Sequence, residues 1–181
     1  MVLAIKKTLC HPKADAGART EFQEKINHLE KSGKSIIYLD ESGFAVDMPR
    51  THGYSPTGQR CYSLCNWNAK GRINAIGALL GKALICLSLF TCNVDSDVFH
   101  AWVVNDLLLH APKASVIVMD NATFHKREDT RKAIMEAGHI LEYLPPYSPD
   151  LNPIEHKWAQ AKARRKRLRC GVHELFLSSE L

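Results

Sequence analysis

An α/β fold built on a mixed five-stranded sheet, with helices on both faces, is what this chain predicts, and three observations carry it. Two short apolar runs, SIIYL at 35–39 and SVIVM at 115–119, each end on an aspartate. Being apolar on both faces, they read as central parallel strands. The most apolar region, Ala75 to Cys92, is broken by Gly81-Lys82, a turn dipeptide carrying a charge. It therefore reads as two strands of a hairpin rather than a membrane span, because a buried lysine would be costly in a bilayer. Between and after these runs the apolar residues recur at helical spacing.

Taken in order, residues 1–19 show no sustained periodicity and read as an extended lead-in. Thr20 to Lys31 predicts a helix, with Thr20 as N-cap, a stripe of Phe22, Ile26 and Leu29, and Gly33 as its stop. The first central strand, Ser35 to Leu39, ends at Asp40, and Glu41-Ser42-Gly43 then reads as a turn. Residues 44–60 are rich in Pro, Gly and Thr, with Arg50, His52 and Arg60 as exposed positive groups. Cys61–Trp67, Arg72–Leu80 and Ala83–Thr91 predict two or three antiparallel strands. Ser96 caps a predicted helix to about Leu109, with Phe99, Trp102, Val103 and Leu107 inward. The second central strand ends at Asp120, and His125 to Ala137 follows as a helix stopped by Gly138. A strand at Ile140–Leu144 and a helix from Pro153 to about Arg169 complete the chain. This order adds an antiparallel edge to a parallel pair, as a ribonuclease-H-like sheet does.

At 181 residues the chain suits one well-cored domain. A hydrophobic share of 45% and a charged share of 24% exclude a disordered or membrane-embedded class. The net charge of +5 is modest but concentrated. Lys157, Lys162, Arg164, Arg165, Lys166, Arg167 and Arg169 follow one another with no acid between, which favours a polyanion such as nucleic acid. A solvated helix face is the plainer alternative. Six scattered cysteines include one Cys61-x3-Cys65 pair but no second pair of zinc-finger spacing, and the chain reads as reduced and intracellular.

Three acids stand where elements meet: Asp40 and Asp120 at the two strand ends, and Glu155 in the first turn of the last helix. Each has an ordinary alternative. The aspartates could simply begin turns, and Glu155 could close a capping box on Asn152, with Pro153 at the first helical position. Together they point elsewhere, because function gathers at the carboxyl ends of parallel strands. Carboxylates packed this closely repel unless cations hold them, and hard oxygen ligands select Mg²⁺ or Mn²⁺. Two such ions roughly 3.5–4 Å apart can clamp an in-line phosphoryl displacement.

The blocks LDESGF (39–44), MDNATFHK (119–126) and LPPYSPDLNPIEHKWAQAK (144–162) resemble the signature of DDE transposases of the mariner superfamily, bacterial insertion-sequence type. GYSP with GQR at 53–60 and NAIGA at 74–78 agree, so the likeness runs over about residues 20 to 170. Thirty-four residues (121–154) separate Asp120 from Glu155, a spacing typical of that group. The resemblance implies a lead-in with a short helix at 1–34, a ribonuclease-H-like catalytic domain at 35–170 and a tail at 171–181. It implies Asp40, Asp120 and Glu155 as catalytic metal ligands for two Mg²⁺ ions, with Mn²⁺ able to substitute. The chemistry would be metal-dependent cleavage of transposon-end DNA followed by strand transfer into target DNA, as in DNA transposition and integration.

Asn121 and His125 would orient Asp120 or touch the DNA backbone, with a locally satisfied histidine as the alternative. Asn152 would aim Glu155, Trp158 reads as core, and Lys157, Lys162, Arg164, Arg165, Lys166 and Arg167 would hold phosphates. Family members carry N-terminal helix-turn-helix modules, which the short stretch before the first strand does not accommodate. A separately encoded helix-turn-helix subunit is therefore expected, and the resemblance implies a homodimer on double-stranded DNA and a bacterial cytoplasmic, nucleoid-associated location, with no membrane partner. Two other readings stand beside this one. The chain could be an inactive remnant that binds DNA weakly, or a ribonuclease-H-like nuclease on hybrid or branched substrates.

Overall fold

The computed structural model describes residues 11–47, 53–62 and 71–177. Asp15 opens the first helix, its carboxylate accepting from the N–H groups of Gly17 and Ala18 at 2.8 and 3.3 Å. Helix α1 (Ala16–Lys31) therefore starts four residues before the predicted Thr20 cap, and the Thr20 hydroxyl instead donates to the Ala16 carbonyl within the helix. An aspartate accepts two of the orphan amides of the first turn, which a mid-helix threonine cannot do.

Strand β1 (Ile36–Ala45) also runs beyond its predicted end. Residues 41–43, read as a turn, and the two that follow them instead pair antiparallel with β2 (Arg72–Leu80), from Glu41 opposite Ile76 to Ala45 opposite Arg72. Gly43 misleads because its missing Cβ serves packing: the Arg72 guanidinium lies across it in the space a Cβ would take. Strand β3 (Ala83–Phe90) returns along β2 after the Gly81-Lys82 turn, as expected. The strand read at 61–67 falls largely outside the described residues, and Cys61 and Tyr62 themselves lie in no strand.

Asp95, not Ser96, caps the next helix. Helix α2 (Ser96–Trp102) widens into a π-helical stretch at Val103–Leu107 and closes with the short α3 (Leu108–His110). Strand β4 (Val116–Met119) leads into a 3₁₀ turn at Thr123–Lys126, and α4 (Glu128–Glu136) begins only after an extended Arg127. Strand β5 (Ile140–Tyr143), a 3₁₀ turn at Pro149–Leu151, α5 (Ile154–Leu168) and α6 (Val172–Leu177) follow. The segment read as a tail thus carries a helix, whose Val172 and Leu175 are buried beside Trp158.

The five strands lie in the order β3-β2-β1-β4-β5, with β1, β4 and β5 parallel and β2 and β3 antiparallel. Side chains alternate across the sheet. Ile37, Leu39, Ile76, Ala78, Ile117 and Met119 face α2, the π-helical stretch and α4. On the other face, Ile36, Val116 and Val118 pack on Phe22 and Ile26 of α1. Phe44, Ala75 and Leu79 pack there on α5 and α6. The predicted ribonuclease-H-like mixed sheet with helices on both faces is what forms.

Candidate active site

Parallel pairing of β1 with β4 sets Ile36 opposite Val116, Ile37 opposite Ile117 and Tyr38 opposite Val118. Two residues further along the same register, Asp40 stands beside Asp120. Alternation puts the Asp40 side chain on the α5 side, with Ile36 and Tyr38, while Asp120, the first residue past β4, reaches His125 at the sheet edge. Asp40 is mid-strand, yet it lies where parallel pairing ends and the sheet opens, so the sheet edge predicted for it survives the longer β1.

Helix α5 is fastened to this edge from two points. The buried Asn152 side chain donates from Nδ2 to the Leu39 carbonyl at 3.1 Å, and Trp158 Nε1 donates to Asp40 Oδ2 at 3.0 Å. Glu155 lies three residues before Trp158, on the turn that faces the sheet edge, and its carboxylate is exposed. The capping-box alternative fails, because the Asn152 N–H donates to the Pro149 carbonyl at 2.9 Å. Gly77, opposite Asp40 on β2, lets Trp158 approach the sheet closely, since a Cβ there would come within 2.7 Å of the indole.

Burial, then the charges of Glu155, Glu41 and Asp120, push the Asp40 carboxyl up to about 8. Among the described residues no lysine or arginine pairs with Asp40, Asp120 or Glu155. An acid whose neighbouring charges are other acids fits a divalent cation, and the donors are all hard oxygens. Asp120 is already oriented. His125 Nδ1 donates to its Oδ1 at 2.5 Å, and the Ala122 N–H donates to the same oxygen at 2.9 Å, with no bond on Oδ2 among the described residues.

His125 is buried, ringed by Phe99 and Phe124, and its Nε2 donates to Glu41 Oε1 at 2.8 Å. Carboxylates only accept, so both ring nitrogens carry protons and the ring is an imidazolium. Burial alone would lower its pKa, but the bonds to Asp120 and Glu41 and their charges raise it to about 9. In turn burial raises Asp120, yet the His125 bond, the Ala122 amide and the His125 charge outweigh it and leave Asp120 below its usual range. Glu41 escaped the sequence reading because it looked like a turn residue. In a continuing strand, alternation sends it to the face opposite Asp40, where His125 waits. Asn121 is exposed.

The basic run does not act as one surface. Arg165 is a correction to the predicted phosphate contacts: it is buried, and its guanidinium donates to the carbonyls of Ala45, Val46 and Cys170 at 2.5, 2.8 and 3.2 Å. Its donors are spent on the end of β1 and on the turn after α5. Lys162, Lys166 and Arg167 are exposed, while Lys157 and Arg164 are half-buried. At helical spacing Lys162 and Lys166 share the stripe of Glu155, and Lys162 Nζ sits 5.6 Å from the Phe44 ring centre, beside the far end of β1.

A family model described as DDE superfamily endonuclease matches residues 35–171. No curated protein matches the chain in sequence. Among solved structures, the Mos1 transposase paired-end complex with left transposon end superposes at a TM-score of 0.69 and 16% identity, covering 91% of this chain and 53% of that one. The mariner Mos1 paired end complex with Mg gives 0.61 at 16% identity, covering 84% and 50%. The catalytic domain of Mos1 mariner transposase gives 0.57 at 12%, covering 88% and 76%. At these identities the likeness is one of fold, and the chain spans about half the length of the first two transposase chains.

Proposed function

The chain belongs to the DDE superfamily of endonucleases, and we propose that it is the catalytic domain of a transposase that cuts and joins double-stranded DNA with divalent metal ions. The observation that carries this reading is the register: Asp40 and Asp120 stand side by side where parallel pairing ends, with Glu155 brought to them by α5. Asp40, Asp120 and Glu155 would hold two Mg²⁺ ions, with Mn²⁺ able to replace them. Such ions, when bound, activate water or a 3′-hydroxyl as nucleophile and offset charge on the phosphate.

The chain's own residues do the rest. Trp158 and His125 fix the rotamers of Asp40 and Asp120, so the ligands are set before DNA arrives. Asn152, bonded to the Leu39 carbonyl, would hold the start of α5, and with it Glu155, at the sheet edge. Lys162 and Lys166 extend the same stripe as cations, suited to the DNA backbone on either side of the cut. The domain would span residues 35–170, with α1 and α6 packed on it. Pairing of two copies on DNA, reading of element ends by a helix-turn-helix subunit, and an origin in a bacterial insertion sequence belong to the same proposal. The described residues contain no helix long and apolar enough to cross a membrane.

Asp120→Asn keeps the shape of the side chain and removes its charge. We expect it to lower Mg²⁺-dependent nicking of supercoiled plasmid by about a hundredfold or more, past the roughly 10- to 100-fold typical of residues that only support a ligand. Its thermal midpoint and weak DNA binding should stay near those of the parent. Equal nicking by both proteins would leave the inactive, DNA-binding reading in place. Preferred cleavage of RNA–DNA hybrids or branched DNA over duplex would favour the ribonuclease-H-like alternative.

A further inference from the structure

Away from the acids around Asp40, three metal-ligating side chains converge on the other face of the sheet. Cys86 of β3, Asp106 of the π-helical stretch and His110 of α3 bring one ligand atom each within 4.8 Å of one another. Cys86 belongs to the core facing α2 and α4, whereas Trp158, which holds Asp40, belongs to the core facing α5. The two clusters therefore share no residue and lie on opposite faces.

Asp106 is aimed by its neighbours. Trp102 Nε1 donates to Ser88 Oγ at 3.1 Å, and Ser88 Oγ donates to Asp106 Oδ2 at 2.9 Å. That anchors one carboxylate oxygen and leaves Oδ1 at 3.2 Å from His110 Nδ1. Oxygen and nitrogen ligands at about 2.0–2.1 Å from a tetrahedral ion stand about 3.3 Å apart, so this separation fits a shared metal. The buried Cys86 thiol donates to the Asp106 carbonyl at 3.9 Å, and His110 Nδ1 meets the same carbonyl at 2.8 Å, while Asp106 is half-exposed and His110 exposed. One side of the cluster is closed by the core and the other is open to an arriving ion.

We propose that Cys86, Asp106 and His110 form a zinc site that ties the helical segment 96–110 to the edge strand β3. Thiolate and imidazole select a borderline-soft ion over Mg²⁺, and three protein ligands leave a fourth position for water. On binding, the Cys86 thiol gives its proton to solvent and the sulfur lone pair forms the bond, so the ion's charge is offset by thiolate and carboxylate. Without a metal the same side chains bond among themselves, the Cys86 thiol and His110 Nδ1 both meeting the Asp106 carbonyl, so an arriving ion would exchange these bonds for its own. The π-helical widening has a use here as well, since it sits at the turn that presents Asp106, and such widenings gather at functional sites. Among the described residues β3 has no strand beyond it, and a metal clip would restrain that edge.

Co²⁺ added to the metal-free full chain tests this, because a thiolate ligand gives a charge-transfer band that oxygen ligands do not. The band should appear in the parent and in Asp120→Asn, vanish in Cys86→Ser, and be displaced by Zn²⁺. Exposed His110 can be changed without threatening the fold, so His110→Ala should weaken Co²⁺ binding by at least about tenfold even if Cys86→Ser folds poorly. Zn²⁺ should raise the thermal midpoint of the parent and not that of His110→Ala. No band in the parent, a band that survives in Cys86→Ser, or unchanged affinity in His110→Ala would overturn the site. None of these outcomes depends on DNA cleavage, so the proposed nuclease activity can stand or fall separately.

Discussion

Asp40 meets two kinds of neighbour, a hydrogen-bond donor in Trp158 and a ring of acids in Glu155, Glu41 and Asp120. The acids and burial prevail and hold its carboxyl near 8, so at neutral pH it keeps a proton that a cation must displace. Metal affinity should therefore rise as pH climbs toward about 8 and level off above it. Calorimetry in buffers of differing ionisation heat should show proton release at pH 7, and an affinity flat from pH 6 to 9 would refute the assignment. Stability follows the opposite sign. The folded state holds this proton where the unfolded chain, with an ordinary carboxyl near 3.8, has lost it. Its contribution is intact below about 3.8, declines as pH rises, and is gone above about 8, so the metal-free protein weakens over that window and added Mg²⁺ should restore it. His125 is tuned the other way, as a buried imidazolium whose charge keeps Asp120 ionised and ready. Neighbouring aspartates thus sit on opposite sides of neutrality for reasons visible in their contacts.

At the scale of elements, α5 and β2 are matched through one absence. Gly77 carries no Cβ where Trp158 crosses the sheet, and Trp158 in turn reaches Asp40. Gly77→Ala should cost roughly 1–3 kcal/mol by overpacking. It should also reduce metal-dependent cleavage, because the indole is pushed from its bond. Combined with Trp158→Phe, which removes the outer indole ring, the two losses should be clearly less than additive in denaturant unfolding. Strict additivity would show that the glycine and the indole do not meet. Much of this was legible beforehand: strand ends marked Asp40 and Asp120, and helical spacing marked Trp158 as core. What was not legible depended on partners distant in sequence. Gly43 looked like a turn because nothing local revealed that Arg72 would lie over it. Arg165 looked like one more phosphate contact inside a basic run, although its spacing from Ile154, Trp158 and Ala161 places it on the buried stripe. Charge composition concealed what periodicity already said. Glu41 needed both the longer strand and His125, 84 positions away, to acquire a role.

Across the whole molecule, the cations that remain exposed are not spread evenly about the acids. Lys162 and Lys166 continue the Glu155 stripe along α5, while Lys82 sits at the β2–β3 turn beyond the start of β1, away from the site. Counterion release makes DNA affinity fall with salt in proportion to the phosphates neutralised, with a slope of about 0.9 per contact on double-stranded DNA. If α5 lies along the duplex, Lys162→Gln with Lys166→Gln should flatten the plot of log affinity against log salt by roughly 1.8. Lys82→Gln, which removes a charge at the far end of the sheet, should leave the slope where it was. Arg165 cannot serve in this comparison, because its loss would unfasten the end of β1 rather than a phosphate. Equal slopes for the double variant and the Lys82 control would mean that the stripe is a solvated face and that duplex DNA reaches Asp40, Asp120 and Glu155 along another side. Fluorescence anisotropy with a short labelled duplex across a salt series is enough to decide between the two.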